Sequence, residues 1–220
     1  DLAGNDRQVQ DNIAIGRNAL NSTSDNAQTG TIAIGKDALT ALTSGTLNTA
    51  IGYKAGTALT TGGSNTTIGY EAFKSANGGE NANVVIGRNA GDLIDSDSCS
   101  NNVLIGMEAG RTGTGTMTYN VAIGRDAMKS IGSNTQTGTV AIGGLALVNL
   151  SSGANNTAIG YNAMHTHTTG ARNIAIGYSA MDDTDAGSTS LGSEDNTFIG
   201  HNVGGGTWAN AASNGNVGIG

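Results

Sequence analysis

Two hundred and twenty residues with 36 Gly, no Pro and 4% aromatics do not make an ordinary layered globule, because too few large side chains exist to fill a wide core. Seventeen Asp and Glu against 10 Lys and Arg leave a net charge of −7, which excludes the phosphate backbone of a nucleic acid as a natural partner. The single Cys99 excludes an intrachain disulfide framework and a Cys-rich zinc site, and no apolar run approaches the roughly 18 residues of a membrane-crossing helix, so no membrane insertion is expected of this segment.

Residues 1–11 read as a lead-in from a preceding region. From Asn12 to the last residue one phrase is repeated, marked by an Ile-Gly pair at Ile15-Gly16, Ile34-Gly35, Ile51-Gly52, Ile68-Gly69, Ile86-Gly87, Ile105-Gly106, Ile123-Gly124, Ile142-Gly143, Ile159-Gly160, Ile176-Gly177, Ile199-Gly200 and Ile219-Gly220. The spacings are 19, 17, 17, 18, 19, 18, 19, 17, 17, 23 and 20 residues. A near-fixed period of this size predicts a solenoid, in which one repeat is one coil and no coil can bury its apolar face alone. The fold class expected is all-β: a parallel β-solenoid, of the β-roll or β-helix kind, of about twelve coils over residues 12–220.

Because the chain supplies its own alignment, each position of the coil can be read as a column. The first copy, Asn12, Ile15, Gly16 and Ala19, and the ninth, Asn156, Ile159, Gly160 and Ala163, show the structural repeat. Asn stands three residues before the Ile in every copy except at Thr31 and Thr139, and such a column predicts a ladder of stacked amides. A β-branched residue follows it in every copy, from Ile13 to Val217, and with the Ile two positions on it gives the alternation of a short strand. Between them the column is Ala in seven copies, from Ala14 to Ala175. With the β-branched pair directed into the coil, this Ala-rich strand face is expected outside, where a small apolar stripe requires a cover.

The Gly after each Ile marks a corner. Ala returns three residues later in every complete copy except at Val203, which predicts a site with room for nothing larger. Spacers rich in Thr, Ser, Gly and Asn follow, with Gly45, Gly62, Gly153 and Gly170 at one fixed turn position and the longest loop at 182–195. A longer period lies over the short one: the spacings 19, 17, 17 recur 108 residues on, Gln28-Thr29-Gly30-Thr31 matches Gln136-Thr137-Gly138-Thr139, and Arg17 matches Arg125. Residues 12–119 and 120–220 are therefore read as a duplicated six-coil block. The twelfth phrase stops at Gly220 with nothing that reads as a cap, so a longer parent chain is expected.

The phrase Asn-x-Ala-Ile-Gly-x-x-Ala with Gly-containing spacers resembles the head repeats of trimeric autotransporter adhesins of the YadA type. The stretch Asn156-Thr157-Ala158-Ile159-Gly160-Tyr161-Asn162-Ala163 is even more similar to repeats in the tail fibres of some bacteriophages. The coils here are longer than the adhesin repeat, and Ala stands where Ser is frequent in it. The resemblance implies a homotrimer whose protomers meet through one strand face, for which the Ala-rich face is the candidate, and an extracellular task on a virion or a bacterial surface: attachment to a host-cell receptor, glycan or protein. A phage tail fibre is favoured over a bacterial adhesin head, and a non-adhesive extracellular filament is the further alternative.

No catalytic constellation stands out, so no enzyme and no cofactor is expected. His165 and His167 share a spacer far from His201, with no nucleophile or ligand set around them. The acidic groups Asp182-Asp183-Thr184-Asp185 and Asp95-Ser96-Asp97 lack the spacing of known calcium loops and read as solvated loops, so no metal is expected. Carboxylates scatter over the loops and form no pair of the kind a glycan depolymerase requires. Thr does not recur in the outward Thr-x-Thr column of an ice-binding face. Tyr53 with Tyr70, and Tyr161 with Tyr178, hold one position in successive coils, and are either sugar platforms on the surface or packing between rungs.

Overall fold

The computed structural model describes residues 11–22, 28–111, 115–130, 134–182, 192–205 and 213–220. Its strands are β1 (Ile13–Ile15), β2 (Ile32–Ile34), β3 (Thr49–Ile51), β4 (Thr66–Ile68), β5 (Val84–Ile86), β6 (Val103–Ile105), β7 (Met117–Thr118), β8 (Val121–Ile123), β9 (Gln136–Thr137), β10 (Val140–Ile142), β11 (Thr157–Ile159), β12 (Ile174–Ile176), β13 (Thr197–Ile199) and β14 (Val217–Ile219). All but β7 and β9 join one parallel sheet in chain order, each Ile of the Ile-Gly pair opposite the next. Parallel neighbours in strict chain order require the intervening chain to circle back once per strand. The protein is thus an all-β parallel β-solenoid of about ten turns, with no helix among the described residues. A second, shorter ladder pairs β7 with β9 and continues through bridges from Asn81 to Ser100 and from Ser100 to Thr118.

The strand faces are the reverse of the expectation. Ala33, Ala50, Ala122, Ala141, Ala158 and Ala175, at the middle of their strands, are wholly buried inside the coil, while the β-branched residues on either side point outward. An Ala column with no exposed surface in the single chain cannot be a seam between subunits, so the contact expected through that face is ruled out. The reason is width: the coil is too narrow for two columns of branched side chains per strand, and one small residue fits where two large ones do not.

The interior is filled by complementary choices at two inward positions, the middle of the strand and the residue four after the Gly. Where the strand carries Ala, the second position is large in every described coil but one: Leu39 beside Ala33, Met128 beside Ala122, Leu147 beside Ala141 and Met164 beside Ala158 are all buried, and the exception is Ala50 with Gly56. Where the strand carries Val85, Leu104 or Phe198, the second position is Gly, whereas Thr67 is paired with the buried Phe73. A Cβ added at Gly110 would lie 2.6 Å from Leu104 Cδ2, and one at Gly204 would lie 2.8 Å from the Phe198 ring. Phe198 is accommodated in this column because Gly218 stands in the next coil, where a Cβ would come within 2.7 Å of the ring. Volume is thus compensated within most coils, and at Gly56, where a Cβ would lie 2.9 Å from Leu39 Cδ2, by the neighbouring coil, as a core at crystal-like density demands.

Coil length follows the residue three before the Asn column. The 17-residue coils hold Gly45, Gly62, Gly153 and Gly170 there, while longer ones hold Gln28, Glu80, Cys99, Met117, Gln136 or Ser193, all buried. In the short coils the space is taken from across the interior: a Cβ on Gly45 would lie 2.9 Å from Leu42 Cδ1, and one on Gly170 2.9 Å from His167. Extra residues in the spacer widen the coil enough to admit a side chain. His167, which the sequence placed in an exposed spacer, is buried in the column that Leu42, Leu59 and Leu150 occupy.

The Asn column closes each coil. Asn65 Nδ2 donates both to Asn48 Oδ1 (3.1 Å) and across the coil to the carbonyl of Glu80 (2.8 Å), and its backbone N–H also reaches Asn48 Oδ1 (2.9 Å). The pattern repeats through Asn83, Asn102 and Asn120, and again from Asn156 through Asn173 and Asn196 to Asn216. At Thr31 and Thr139 the backbone N–H still meets the preceding amide, but Thr carries no amide to hand on. There Gln28, three residues earlier, turns inward and spans the coil to the carbonyl of Leu42 (2.8 Å), as Asn48 does to Gly62 (2.8 Å).

The Ile-Gly corner is fixed by close approach of backbones. Gly69 has φ near +138°, and a Cβ there would lie 2.5 Å from the carbonyl oxygen of Gly87 in the next coil. Gly215, by contrast, has nothing within 4 Å of such a Cβ and carries only the conformational restriction of φ near +70°. Gly69→Ala is expected to destabilise by at least about 3 kcal/mol and Gly215→Ala by about 1–2 kcal/mol. Urea unfolding of the two variants, read as midpoint shifts, checks the ranking; equal shifts would refute the steric account.

Candidate functional site

The outer surface, like the core, is organised in columns. The first is the pair of β-branched residues flanking each central strand residue. Ile15 (59%), Ile51 (36%) and Ile174 (37%) are among those most exposed, and the others are partly exposed. They form an apolar strip two side chains wide along the sheet. Strands stack about 4.8 Å apart, so the strip is on the order of 50 Å long.

The second column is the residue after each Gly, carried outward by the corner. It holds Arg17, Lys36, Tyr53, Tyr70, Arg88, Met107, Arg125, Gly144, Tyr161, Tyr178 and His201. The coil spacing brings its rings into stacks: Tyr53 and Tyr70 have centroids 5.1 Å apart at 20°, and Tyr161 and Tyr178 lie 5.6 Å apart at 21°. His201 extends the second stack at 5.1 Å and 9° from Tyr178, while Lys36 and Lys54 lie 5.0 and 5.4 Å from the centroid of Tyr53. Packing between rungs is therefore present in both pairs. Because faces are turned to one another, the rings offer solvent their edges and hydroxyls, and about half of Tyr70 (51%) and Tyr178 (51%) is exposed. His201 was missed as a member of this stack, although its place directly after Ile199-Gly200 was the signal for it.

The third column, two after each Gly, has left-handed φ at every described copy and is charged or polar in most of them. Here carboxylates are held by their own cations: Glu71 by Lys74 (2.9 Å), Glu108 by Lys129 (2.7 Å) and Arg111 (3.4 Å), and Asp126 by Arg125 (3.0 Å) and Lys129 (3.1 Å). The hydrogen bond from Lys74 holds the Glu71 carboxyl below its usual range, and the bond from Lys129 does the same for Glu108. Asp37 is lowered chiefly by the hydrogen bond from Asn18 (2.9 Å). On another side of the rod Arg172 lies 2.6 Å from Asp195 and 2.5 Å from Glu194, and this pairing lowers the Asp195 carboxyl. Such exposed pairs fix side chains more than they add stability.

Among the described residues no group of three or more His, Cys, Asp or Glu is placed to hold a metal ion, and no helix is long and apolar enough to cross a membrane. Asp95 and Asp97 are exposed, as loop residues should be. Asp183, Thr184 and Asp185, and with them most of the loop 182–195, lie outside the described residues. His165 Nδ1 stands 3.9 Å from Asp182 Oδ1. Cys99 is buried with its sulfur accepting the Met117 N–H at 3.1 Å, and burial pushes its thiol up, away from the reactive thiolate. Glu80 is fully buried and accepts the N–H groups of Asn77 (3.2 Å) and Gly78 (3.0 Å), yet desolvation dominates and raises its carboxyl above the ordinary 4.5.

Searches against family models, characterised proteins and solved structures return no significant match for this chain.

A carboxyl raised on folding contributes stability that is whole below its unfolded pKa and is lost as pH rises through the folded value. Wild type should therefore lose stability at Glu80 as pH climbs from about 4 upward, and Glu80→Gln should not. The difference in melting temperature, variant minus wild type, is expected to increase between about pH 4 and pH 7. A flat or falling difference across that window would show that the two backbone hydrogen bonds outweigh desolvation.

Proposed function

We propose that this chain is a twelve-coil segment of a homotrimeric extracellular fibre that extends and contributes to attachment to a host or cell surface, of the kind a phage tail fibre performs. Its task is mechanical and adhesive, without catalysis. The observation that carries the reading is the apolar strip on the outside of the sheet. A solvated strand face ordinarily alternates toward polar residues, yet here Ile, Val and Thr fill both outward columns of every strand. A strip of β-branched residues that continues over twelve successive strands, unlike singly scattered surface hydrophobics, marks an association surface. Its shape, long and two residues wide, suits burial along an axis shared by copies of the same rod. The seam of the proposed trimer is therefore the β-branched face.

This geometry also supports a rod rather than a vessel for chemistry. Side chains fill the coil, and the polar columns outside it are tied in pairs that run between neighbouring coils. A stiff element of this kind, on the order of 50 Å long, displays surface groups at fixed intervals.

Sedimentation equilibrium tests the seam. The intact chain is expected at three times 21.8 kDa, and a double variant Ile86→Lys/Ile123→Lys, which places charge in the middle of the strip, is expected at one times that mass or as a weakened trimer. A wild-type monomer at tens of micromolar would defeat the trimeric fibre.

A further inference from the structure

The two six-coil blocks allow the surface columns to be compared within one chain. In the column after the Gly, the first block reads Arg17, Lys36, Tyr53, Tyr70, Arg88 and the second Arg125, Gly144, Tyr161, Tyr178, His201. Arginine, both tyrosines and a nitrogen-bearing last member return at the same places. The adjacent column keeps Asn89 as Asn202 but changes its chemistry between, where Asp37, Lys54 and Glu71 correspond to Leu145, Asn162 and Ser179 in the second block. The fold does not demand aromatic rings here, since Arg, Lys, Met and even Gly144 occupy the same corner.

We propose that this column forms two equivalent binding tracks, Arg17 to Arg88 and Arg125 to His201, for a linear acidic polysaccharide lying along the rod; this rests on the attachment reading above and names its ligand class. Stacked face to face, the tyrosines of each pair turn their inner faces to one another, which leaves little ring face for a sugar lying along the rod. They offer edges, the positive side of the ring quadrupole, together with hydroxyl groups. Beside the stacks, Lys36 lies over the Tyr53 ring, His201 stacks on Tyr178, and Arg17, Arg88 and Arg125 stand in the same column, which contains no carboxylate. Apart from Gly144, the members of the tracks are cationic, imidazole or phenol groups that suit an oxygen-rich anion, with Lys36 and Arg125 shared with Asp37 and Asp126. The overall charge of −7 would repel such a ligand, but the neighbouring carboxylates are engaged: Asp37 by Asn18 and Lys36, Glu71 by Lys74, Glu108 by Lys129, Asp126 by Lys129 and Arg125. Arg17 and Arg88 form no ion pair among the described residues and are exposed. Each track extends over four strand spacings, about 19 Å, and the two start about 29 Å apart, so a polymer rather than a monosaccharide matches the repeat.

The test uses the whole chain immobilised on a biosensor, with polygalacturonate and heparin as carboxylate and sulfate polyanions and dextran as the neutral control. Polygalacturonate, heparin or both are expected to bind with affinity that falls as salt rises, and dextran is not. Tyr53→Ala/Tyr70→Ala combined with Tyr161→Ala/Tyr178→Ala should weaken binding more than about tenfold, because both halves of a bivalent contact are lost. Arg88→Gln/His201→Gln should weaken it and flatten its salt dependence. Melting temperatures near wild type are expected for all, since Gly144 shows that the corner folds without a side chain. Equal binding of dextran, binding by no polyanion, or variants that bind as wild type with an unchanged fold would each overturn the tracks. Adsorption to whole cells separates the two levels: variants that still adsorb like wild type would leave attachment standing and remove the tracks, whereas a wild-type chain that adsorbs to no cell removes attachment itself.

Discussion

Each residue of the repeated strand phrase sits above its counterpart from the coil before, and the corner glycines set how closely those coils approach. Gly69 and Gly87 bring backbones together at a distance that leaves no space for a Cβ, and the hydrogen bond from Gly69 N–H to the Ile51 carbonyl (2.8 Å) ties the same corner to the coil before it. Once the backbones are stacked at this spacing, side chains have no freedom of register. Amides must meet amides, as Asn65 meets Asn48, and rings must meet rings, as Tyr70 meets Tyr53. Ladders in the core and columns on the surface have this one cause.

Stacking also explains how so small a core holds together. Its large buried residues are few, Phe73, Leu39, Leu104, Met128 and their like, and none could form a layered interior alone. Each is instead wedged between a small residue in its own coil and the next copy along the axis. Buried amides supply what the thin apolar interior lacks. Removing one, as Thr31 and Thr139 do, leaves a buried hydroxyl without a hydrogen-bond partner among the described residues, a cost on the order of 1–3 kcal/mol. Gln28, three residues before Thr31, makes an equivalent amide hydrogen bond one corner earlier, to the carbonyl of Leu42.

Much of this was legible in the residues because columns are visible wherever a chain repeats. The strand at each Ile-Gly, the Asn ladder, the Ala at the third place after the Gly and the pairing of Tyr53 with Tyr70 all follow from identity at a fixed interval. The direction of the strand faces does not. Alternation says that Ile32, Ala33 and Ile34 divide between two faces, and it is silent on which face is inside. Hydrophobicity points to the branched pair, and here it misleads, because volume and not apolarity is limiting in a coil this narrow. A signal was nonetheless present: Leu104 with Gly110 and Phe198 with Gly204 vary against Ala33 with Leu39 and Ala122 with Met128, and only residues sharing one confined space need to compensate in this way. His167 was misplaced for the same reason, since its column with Leu42 and Leu59 lies within a polar spacer.

The inversion changes what the surface means. An Ala stripe outside would have been a modest seam, whereas a strip of Ile, Val and Thr is a larger and stickier one, best covered by a surface of equal length. A second copy of the same rod has that length and that period by construction, and no unrelated globular partner need have either. Turning the branched residues outward therefore serves both ends at once: it keeps the coil narrow enough for small residues to fill, and it places the apolar surface where identical rods can share it. The aromatic and cationic column then flanks that seam, two residues beyond each Ile, at the margin of the strip where a groove between neighbouring rods would open. Core volume, the proposed subunit contact and the proposed ligand chemistry would in this way be allotted to neighbouring residues of one repeated phrase.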